Sequence, residues 1–454
     1  MLKIYNSLTK QKEIFKPIRE NKIGLYTCGV TVYDDCHIGH ARTFIIFDVI
    51  VRYLKFLGFD VTFVRNITDV DDKIIKRAYE NNESIDQLTQ RMIASMHDDL
   101  NQLHLLSPTY EPRATEYMSE MIQMIQELQQ KGYAYLTELG DVCFEVRKFK
   151  NYGQLSHRDV DELQVGVRIE KDSTKKDPLD FVLWKAAKPD EPAWDSSWGK
   201  GRPGWHIECS AMSTKLLGQP FDLHGGGLDL KFPHHENEVA QSECAHQKTF
   251  ANSWMHVGLL QINHQKMSKS LNNFFTIKDV LKLHHPEVIR YLMILSHYRS
   301  PLQYSDDNLK NAKASLERLY TSLRDIYLDE NKCDEKFKQQ FIEAMNDDFN
   351  TPQALAVLFE LSHEINRNQG NPEKIAVLAN TLKTLGGVLG ILQENPVIFL
   401  QGDESDEKIK SLIKQRADAR KNKDFKKADV IRDQLSQMGI LIEDGAQGTS
   451  WRRI

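Results

Sequence analysis

At 454 residues the chain has room for about two to four domains and a large buried core. A net charge of −5 excludes a globally basic surface, so any nucleic-acid contact must be local, and neither an apolar leader nor a run of membrane-spanning length is present. Six scattered cysteines (28, 36, 143, 209, 244 and 333) show no framework spacing, which points to a reducing, cytoplasmic setting with free thiols or metal ligands.

Residues 22–26 read as a short buried strand, 44–57 as a helix of mixed apolar and charged positions, and 61–64 as a second strand. Strand, long turn, helix and strand form a βαβ unit, which sets the turn Thr27–Arg42 at the carboxyl edge of a parallel sheet. A helix N-terminus at that edge attracts phosphate. His37 and His40, three apart, share its first turn, and Gly39 between them leaves the backbone open to a bulky ligand. Such a pair also serves as an ordinary helix cap. Asn66-Ile67-Thr68-Asp69-Val70-Asp71-Asp72-Lys73 follows the second strand and reads equally as ligand contacts or as an acidic cap.

Helical periodicity covers 85–103 and 115–130, whereas 133–200 holds short β-like pieces and a Pro/Trp-rich end, the mark of an insertion between two halves of one fold. The second half resumes at Gly204, with a strand at 221–224 running into Gly225-Gly226-Gly227, where a close ligand approach or a bent turn is expected. Pro233 suits a helix start, which sets His234 and Glu238 on one face, four apart: half a zinc site, or a plain hydrogen-bonded pair. His235 points about 100° away and has no acid at i+4, since position 239 is Val. Cys28 and Cys209 are expected near strand ends on the same sheet edge. Lys266-Met267-Ser268-Lys269-Ser270 puts two lysines three apart in a polar loop, suited to a polyphosphate leaving group or simply solvated. Helices follow from 309 to 392, then an acidic linker at 403–407. Residues 411–433 then carry eight Lys/Arg against four Asp/Glu in two helical segments broken near 422–424. Trp451, between Ser450 and Arg452, is a candidate for stacking on an unpaired base.

His37-Ile38-Gly39-His40 followed by Lys266-Met267-Ser268-Lys269-Ser270 across an interrupted nucleotide fold resembles the class I aminoacyl-tRNA synthetases. The stretches 28–34, 66–73 and 224–238 narrow the resemblance to the cysteinyl-tRNA synthetase family, over essentially the whole chain. Val30 stands where the family often has Pro, and Cys36 is not a position the family requires. The resemblance implies an α/β fold: a Rossmann-like parallel-sheet catalytic domain split by an insertion, then an α-helical bundle and a small C-terminal anticodon-binding domain. The implied division is 1–115, 116–203 (insertion), 204–262, 263–308 (lysine loop and tRNA stem contacts), 309–402 and 403–454.

It further implies ligation of L-cysteine to tRNA(Cys) through cysteinyl-adenylate, with ATP and Mg2+ as co-substrate. One Zn2+ would sit on Cys28, Cys209, His234 and Glu238 and select the substrate thiolate. His37, His40, Lys266 and Lys269 would serve the phosphates. Thr31, Gly39, Thr68, Trp205 and Asp229 would contact ATP and the amino acid. Arg420, Asp429, Asp444 and Trp451 would contact the anticodon. The family expectation is a cytoplasmic monomer without membrane contact. Two other readings stay open: a relative that joins cysteine to an amino sugar, which the basic C-terminal part opposes, and a non-catalytic tRNA or zinc binder, which the intact histidines and lysines oppose.

Overall fold

A computed structural model describes the chain except residues 160, 162–173, 263–264, 267–274, 327, 329–331, 402–406, 446–447 and 454. The chain forms two compact units, one of Met1–Asn308 with Ile342–Ala354 and one of Leu309–Phe341 with Leu355–Ile454.

The first unit opens with a hairpin of β1 (Lys3–Asn6) and β2 (Gln11–Ile14). The βαβ unit follows as β3 (Lys22–Thr31), α1 (Ile38–Phe56) and β4 (Asp60–Thr68). Then come α2 (Asp72–Asn81), α3 (Ile85–Gln102) and α4 (Met118–Gln130). The short strands β5 (Ala134–Leu136), β6 (Val142–Phe144), β7 (Phe181–Ala186) and β8 (Gly201–Pro203) pair antiparallel in that order, around a core that includes Met121, Phe144 and Trp184. This sheet is distinct from the parallel one, as expected for an inserted segment. The chain returns through α5 (Trp205–Leu217), β9 (Phe221–Gly227), α6 (Glu236–His246) and β10 (Ala251–Val257).

The central sheet has the order β10-β9-β3-β4, every pair parallel. Its carboxyl ends at Thr31, Thr68, Gly227 and Val257 therefore share one edge, where an open α/β sheet gathers ligand contacts. Two expectations need correction. Cys209 lies on α5, because the stretch from Trp205 continues as a helix and not as a strand. Gly225 and Gly226 are neither a turn nor a ligand contact, because the protein's own side chains fill the space. A Cβ at Gly225 would meet the Phe47 ring at 2.1 Å, and one at Gly226 would meet His235 at 3.0 Å. Gly227 alone of the three lines the cavity described below.

Helix α1 is buried along most of its length, including Arg42 and Asp48. Buried charge is tolerated only when paired. Arg42 donates to the carbonyls of Gly258 (2.9 Å) and Ser300 (2.6 Å), while Asp48 accepts from Arg52 (2.7 Å) and from Arg290. Burial alone would raise the Asp48 carboxyl, but Arg290 and Arg52 hold it below the usual carboxylate range.

The second unit is helical, with Pro372–Val388, Glu407–Lys421 and Phe425–Gln437 among its helices, and closes on antiparallel strands Ile440–Gly445 and Gly448–Arg453. Its C-terminal core joins Ile409, Leu412, Ile431, Leu435, Ile440 and Trp451. The break between the two basic helices falls at 422–424, where the sequence puts it.

Replacing Asp48 by Ala strips the carboxylate from buried Arg290 and should cost about 3–5 kcal/mol in urea unfolding. A carboxyl with a lowered folded-state pKa stabilises fully above its unfolded value of about 4, and that stabilisation is lost as pH falls through the folded value. The deficit should therefore be constant from neutral pH to about 5 and narrow below about 4. A deficit under about 1 kcal/mol at neutral pH would show that the pair is not what holds α1.

Candidate active site and metal centre

At the carboxyl edge lies a cavity of about 340 Å³ lined by residues that include Cys28, Thr31, His37, Gly39, His40, Thr68, Trp205, Cys209, Asp229 and His234. Local backbone chemistry explains how each arrives. Strand β3 slips by one residue against β4 between Thr27 and Val30, a bulge that re-aims Cys28. Asn66, two residues before the end of β4, secures that bulge, its Oδ1 accepting the Gly29 N–H at 2.9 Å. Only glycine fits there, since a Cβ would lie 1.7 Å from the Asn66 carbonyl oxygen. The same Oδ1 lies 3.6 Å from Cys209 Sγ, so one amide side chain joins β3, β4 and α5. Nearby, Thr68 Oγ1 donates to buried Glu208 at 2.6 Å, while Asp71 caps α2 through the Lys73 N–H. Residues 66–73 thus divide between the two readings, with the strand end at the site and the next turn a cap.

Cys28, Cys209, His234 and Glu238 bring two sulfurs, one ring nitrogen and one carboxylate oxygen within 4.8 Å of one another, all buried. The two Sγ atoms are 3.7 Å apart, Cys28 Sγ is 3.5 Å from Glu238 Oε1, and His234 Nε2 is 3.1 Å from the same oxygen. Cys28, His224, His235 and Glu238 form a second, overlapping donor set. Cys28, Cys209 and His234 line the cavity, whereas His224 and His235 do not.

Burial pushes the Cys28 thiol up, and the neighbouring Cys209 adds to this. Burial would also raise Cys209, but the hydrogen bond from Cys28 and the contact with His234 bring it to about 6. Glu238, which burial would raise, is brought to about 2 by His224 and His234. Burial would lower the His234 imidazole, but Glu238 and Cys209 bring it to about 10, so the cluster is a buried set of mutually paired groups whose donor atoms could hold a metal cation.

Outer contacts aim these groups. His224 Nε2 bonds Glu238 Oε2 at 2.8 Å, and His234 Nδ1 meets His206 Nδ1 at 2.9 Å, which leaves His234 Nε2 on the cluster. His235 corrects a sequence expectation. Lys231–His235 is a wide turn in which Phe232 alone departs from helical backbone, so His234 keeps its i,i+4 contact with Glu238, and the side to which His235 turns is occupied by Cys28. His235 Nε2 reaches Cys28 Sγ at 3.3 Å. His206, His224, His235 and His256 were all missed as site residues. For His224 and His256 the available signal was a histidine within each of β9 and β10, the strands that run to the ligand edge.

In the first motif, His37 Nδ1 accepts the N–H groups of Gly39 (3.1 Å) and His40 (3.3 Å), and His40 Nδ1 accepts the His37 N–H (3.3 Å). The rings stack at 3.6 Å. The capping reading is therefore correct, and it has a chemical consequence. An imidazole whose Nδ1 accepts carries its neutral-form proton on Nε2, so both histidines are Nε2–H donors. Burial, then the adjacent His37, hold His40 well below the usual imidazole range and so neutral. Trp205, at the start of α5, lies 4.2 Å ring to ring from His234.

Met267, Ser268, Lys269 and Ser270 lie outside the described residues, and Lys266 and Asp444 are described in backbone alone. Arg420 and Asp429 are exposed on the two basic helices. Trp451 is not available for stacking. It pairs in register with Ile442, and its side chain is 6% exposed in the C-terminal core. The exposed aromatic of that region is Phe425, 62% exposed among Lys423, Lys426 and Lys427.

A parallel sheet interrupted after β4, with a capped histidine pair at its first crossover, defines the catalytic domain of a class I aminoacyl-tRNA synthetase. The model of tRNA synthetases class I (C) catalytic domains matches residues 14–314, a DALR domain matches 340–393, and a cysteinyl-tRNA ligase anticodon binding domain matches 403–452. Methionyl-tRNA synthetase of Mycobacterium tuberculosis in complex with methionyl-adenylate shares the fold, with a TM-score of 0.58 at 14% identity over 81% of this chain and 89% of that one. The chain belongs to the cysteine--tRNA ligase family: it is 56% identical to the cysteine--tRNA ligase of Vibrio atlanticus (strain LGP32) and 58% identical to that of Coxiella burnetii (strain Dugway 5J108-111), each over 100% of both chains. It is accordingly a class I, ATP-dependent enzyme that activates L-cysteine and transfers it to tRNA(Cys), which removes the amino-sugar and non-catalytic alternatives. No helix among the described residues is long and apolar enough to cross a membrane.

Gly29→Ala should disrupt the bulge, with an overpacking penalty of about 1–3 kcal/mol and less metal bound per chain by elemental analysis. A variant with the parent's metal content and unfolding midpoint would show that the bulge does not set the site.

Proposed function

We propose that this ligase selects its amino acid with one Zn2+ held by Cys28, Cys209, His234 and Glu238, while ATP with Mg2+ lies over the first motif. The observation that supports this most is the 3.7 Å between Cys28 and Cys209 sulfurs. A tetrahedron with Zn–S bonds of about 2.3 Å has an S···S edge of about 3.8 Å. Sulfur, imidazole and carboxylate donors in a buried pocket also suit zinc.

Cysteine differs from serine by one atom, a difference for which pocket shape supplies about 1–3 kcal/mol, whereas fidelity of 10⁴–10⁵ needs about 5.5–7 kcal/mol. Zinc bound there would supply the difference, because a thiolate is a far better ligand for it than a neutral alcohol. The protein's own groups do the rest. Thr31, Thr68 and Asp229 line the cavity and would take the amino acid and adenosine, and Trp205 would close over the substrate side chain. As the substrate carboxylate attacks the α-phosphate, the Nε2–H groups of His37 and His40 would donate to its oxygens. Lys266 and Lys269 would hold the departing pyrophosphate. Positioning and charge stabilisation then carry the rate, with no covalent enzyme intermediate.

On the tRNA side, Arg420, Asp429 and Asp444 would bond base edges of the anticodon, with Phe425 in place of Trp451 as the stacking surface. The same reading keeps the six-part division of the chain given above. Its six cysteine thiols, none paired in a disulfide, support a cytoplasmic setting, and a monomer is the accompanying expectation.

Cysteine-dependent ATP–pyrophosphate exchange tests the metal. Chelation should reduce cysteine-over-serine discrimination to about 10–200-fold, and Cys209→Ser should raise the KM for cysteine and lower bound zinc. Unchanged selectivity in metal-free enzyme would end the proposal. For the tRNA side, Phe425→Ala should raise the KM for tRNA by about tenfold, at the low end of a stacking contribution of about 1–3 kcal/mol, with pyrophosphate exchange untouched. An unaltered KM would remove Phe425 from the interface.

A further inference from the structure

Behind the four proposed donors lies a string of polar groups, Ser7, His256 and His235, that lines no part of the cavity and ends on Cys28. Ser7 Oγ is 2.8 Å from His256 Nδ1, His256 Nε2 is 2.9 Å from His235 Nδ1, and His235 Nε2 is 3.3 Å from Cys28 Sγ. All four side chains are buried, at 6%, 4%, 0% and 5% exposure. The Trp254 ring packs beside both imidazoles, 5.3 Å from that of His235 and 6.5 Å from that of His256.

The protons in such a string are not independent. A neutral imidazole carries one N–H, and each nitrogen-to-nitrogen contact needs one donor and one acceptor. Only two arrangements satisfy every link. In one, Ser7 donates to His256, His256 to His235, and His235 to Cys28. In the other every bond is reversed and Cys28 must donate. A thiolate can only accept, so once Cys28 is a metal-bound thiolate a single arrangement remains, and it ends on an N–H···S bond.

We propose that Ser7, His256 and His235 form a directional hydrogen-bond relay that positions the Cys28 thiolate and limits the charge it gives to the metal. The inference rests on the zinc reading above. Two thiolates and a carboxylate already outweigh a dication by one charge, and the substrate thiolate adds another. Donors on the protein's own ligands relieve that excess, with His235 serving Cys28 and His224 serving Glu238. The relay begins on the segment after β1, far from the substrate in sequence, and makes Ser7 and His256 positioning residues that touch neither substrate nor metal.

The test uses full-length enzyme loaded with Zn2+ or Co2+. His256→Phe removes the donor to His235, Ser7→Ala removes only the far hydroxyl, and His256→Gln restores an N–H near the original Nε2. His256→Phe should release zinc to a chelator about 10–100-fold faster. It should also shift the sulfur-to-cobalt charge-transfer band and raise the KM for cysteine, with the KM for ATP unchanged. Ser7→Ala should move each readout the same way by less, and His256→Gln should bring them back toward the parent. Identical release rates and bands in folded His256→Phe and Ser7→Ala would overturn the relay. A parent enzyme that takes up no metal would instead overturn the zinc reading on which it rests.

Discussion

The site depends on one slip of a single residue in a parallel strand pair. The bulge at Cys28–Gly29 is held by the Asn66 side chain and by a glycine that leaves no room for a methyl group. A regular ladder alternates side chains between faces, so without the slip Cys28 and the residues that follow it would take the opposite phase. With it, β3 delivers a sulfur to the cluster and then a threonine to the cavity wall, and α1 starts with its N-terminus over the same space.

Around that point the fold concentrates imidazole. His206, His224, His234, His235 and His256 come from two helices or turns and two strands, yet they converge within one layer. Their roles differ by contact. His234 presents a nitrogen to the cluster, His224 and His235 bond its acidic members, and His206 and His256 orient the rings in front of them. The histidines of the first motif follow other physics. Their Nδ1 atoms are spent on the cap, which settles the position of each proton and leaves neutral donors where phosphate charge develops.

The C-terminal part divides labour between two aromatics. Trp451 sits on a two-stranded ribbon whose apolar face needs cover, and burying a large ring there contributes more to a small core than a solvent-facing ring would. Phe425, at the first turn of a basic helix, has no such core to join and stays exposed.

Much of this was legible in the sequence because it is periodic or local. The βαβ unit, the paired basic helices and the His37/His40 turn all rest on spacing within about 45 residues, and the insertion shows as a change of composition, though the antiparallel pairing of its strands does not. The pairing of His234 with Glu238 was legible for the same reason. What the sequence could not determine depends on register and on contacts between distant segments. The bulge is a relation between β3 and β4, the placement of Cys209 on a helix follows from packing, and the partner His235 finds in Cys28 lies 207 residues away. The three-residue glycine run, open to a ligand on paper, is filled by Phe47 and His235. Which side chains meet across hundreds of residues, as Ser7 meets His256, is decided only when the sheet closes its order.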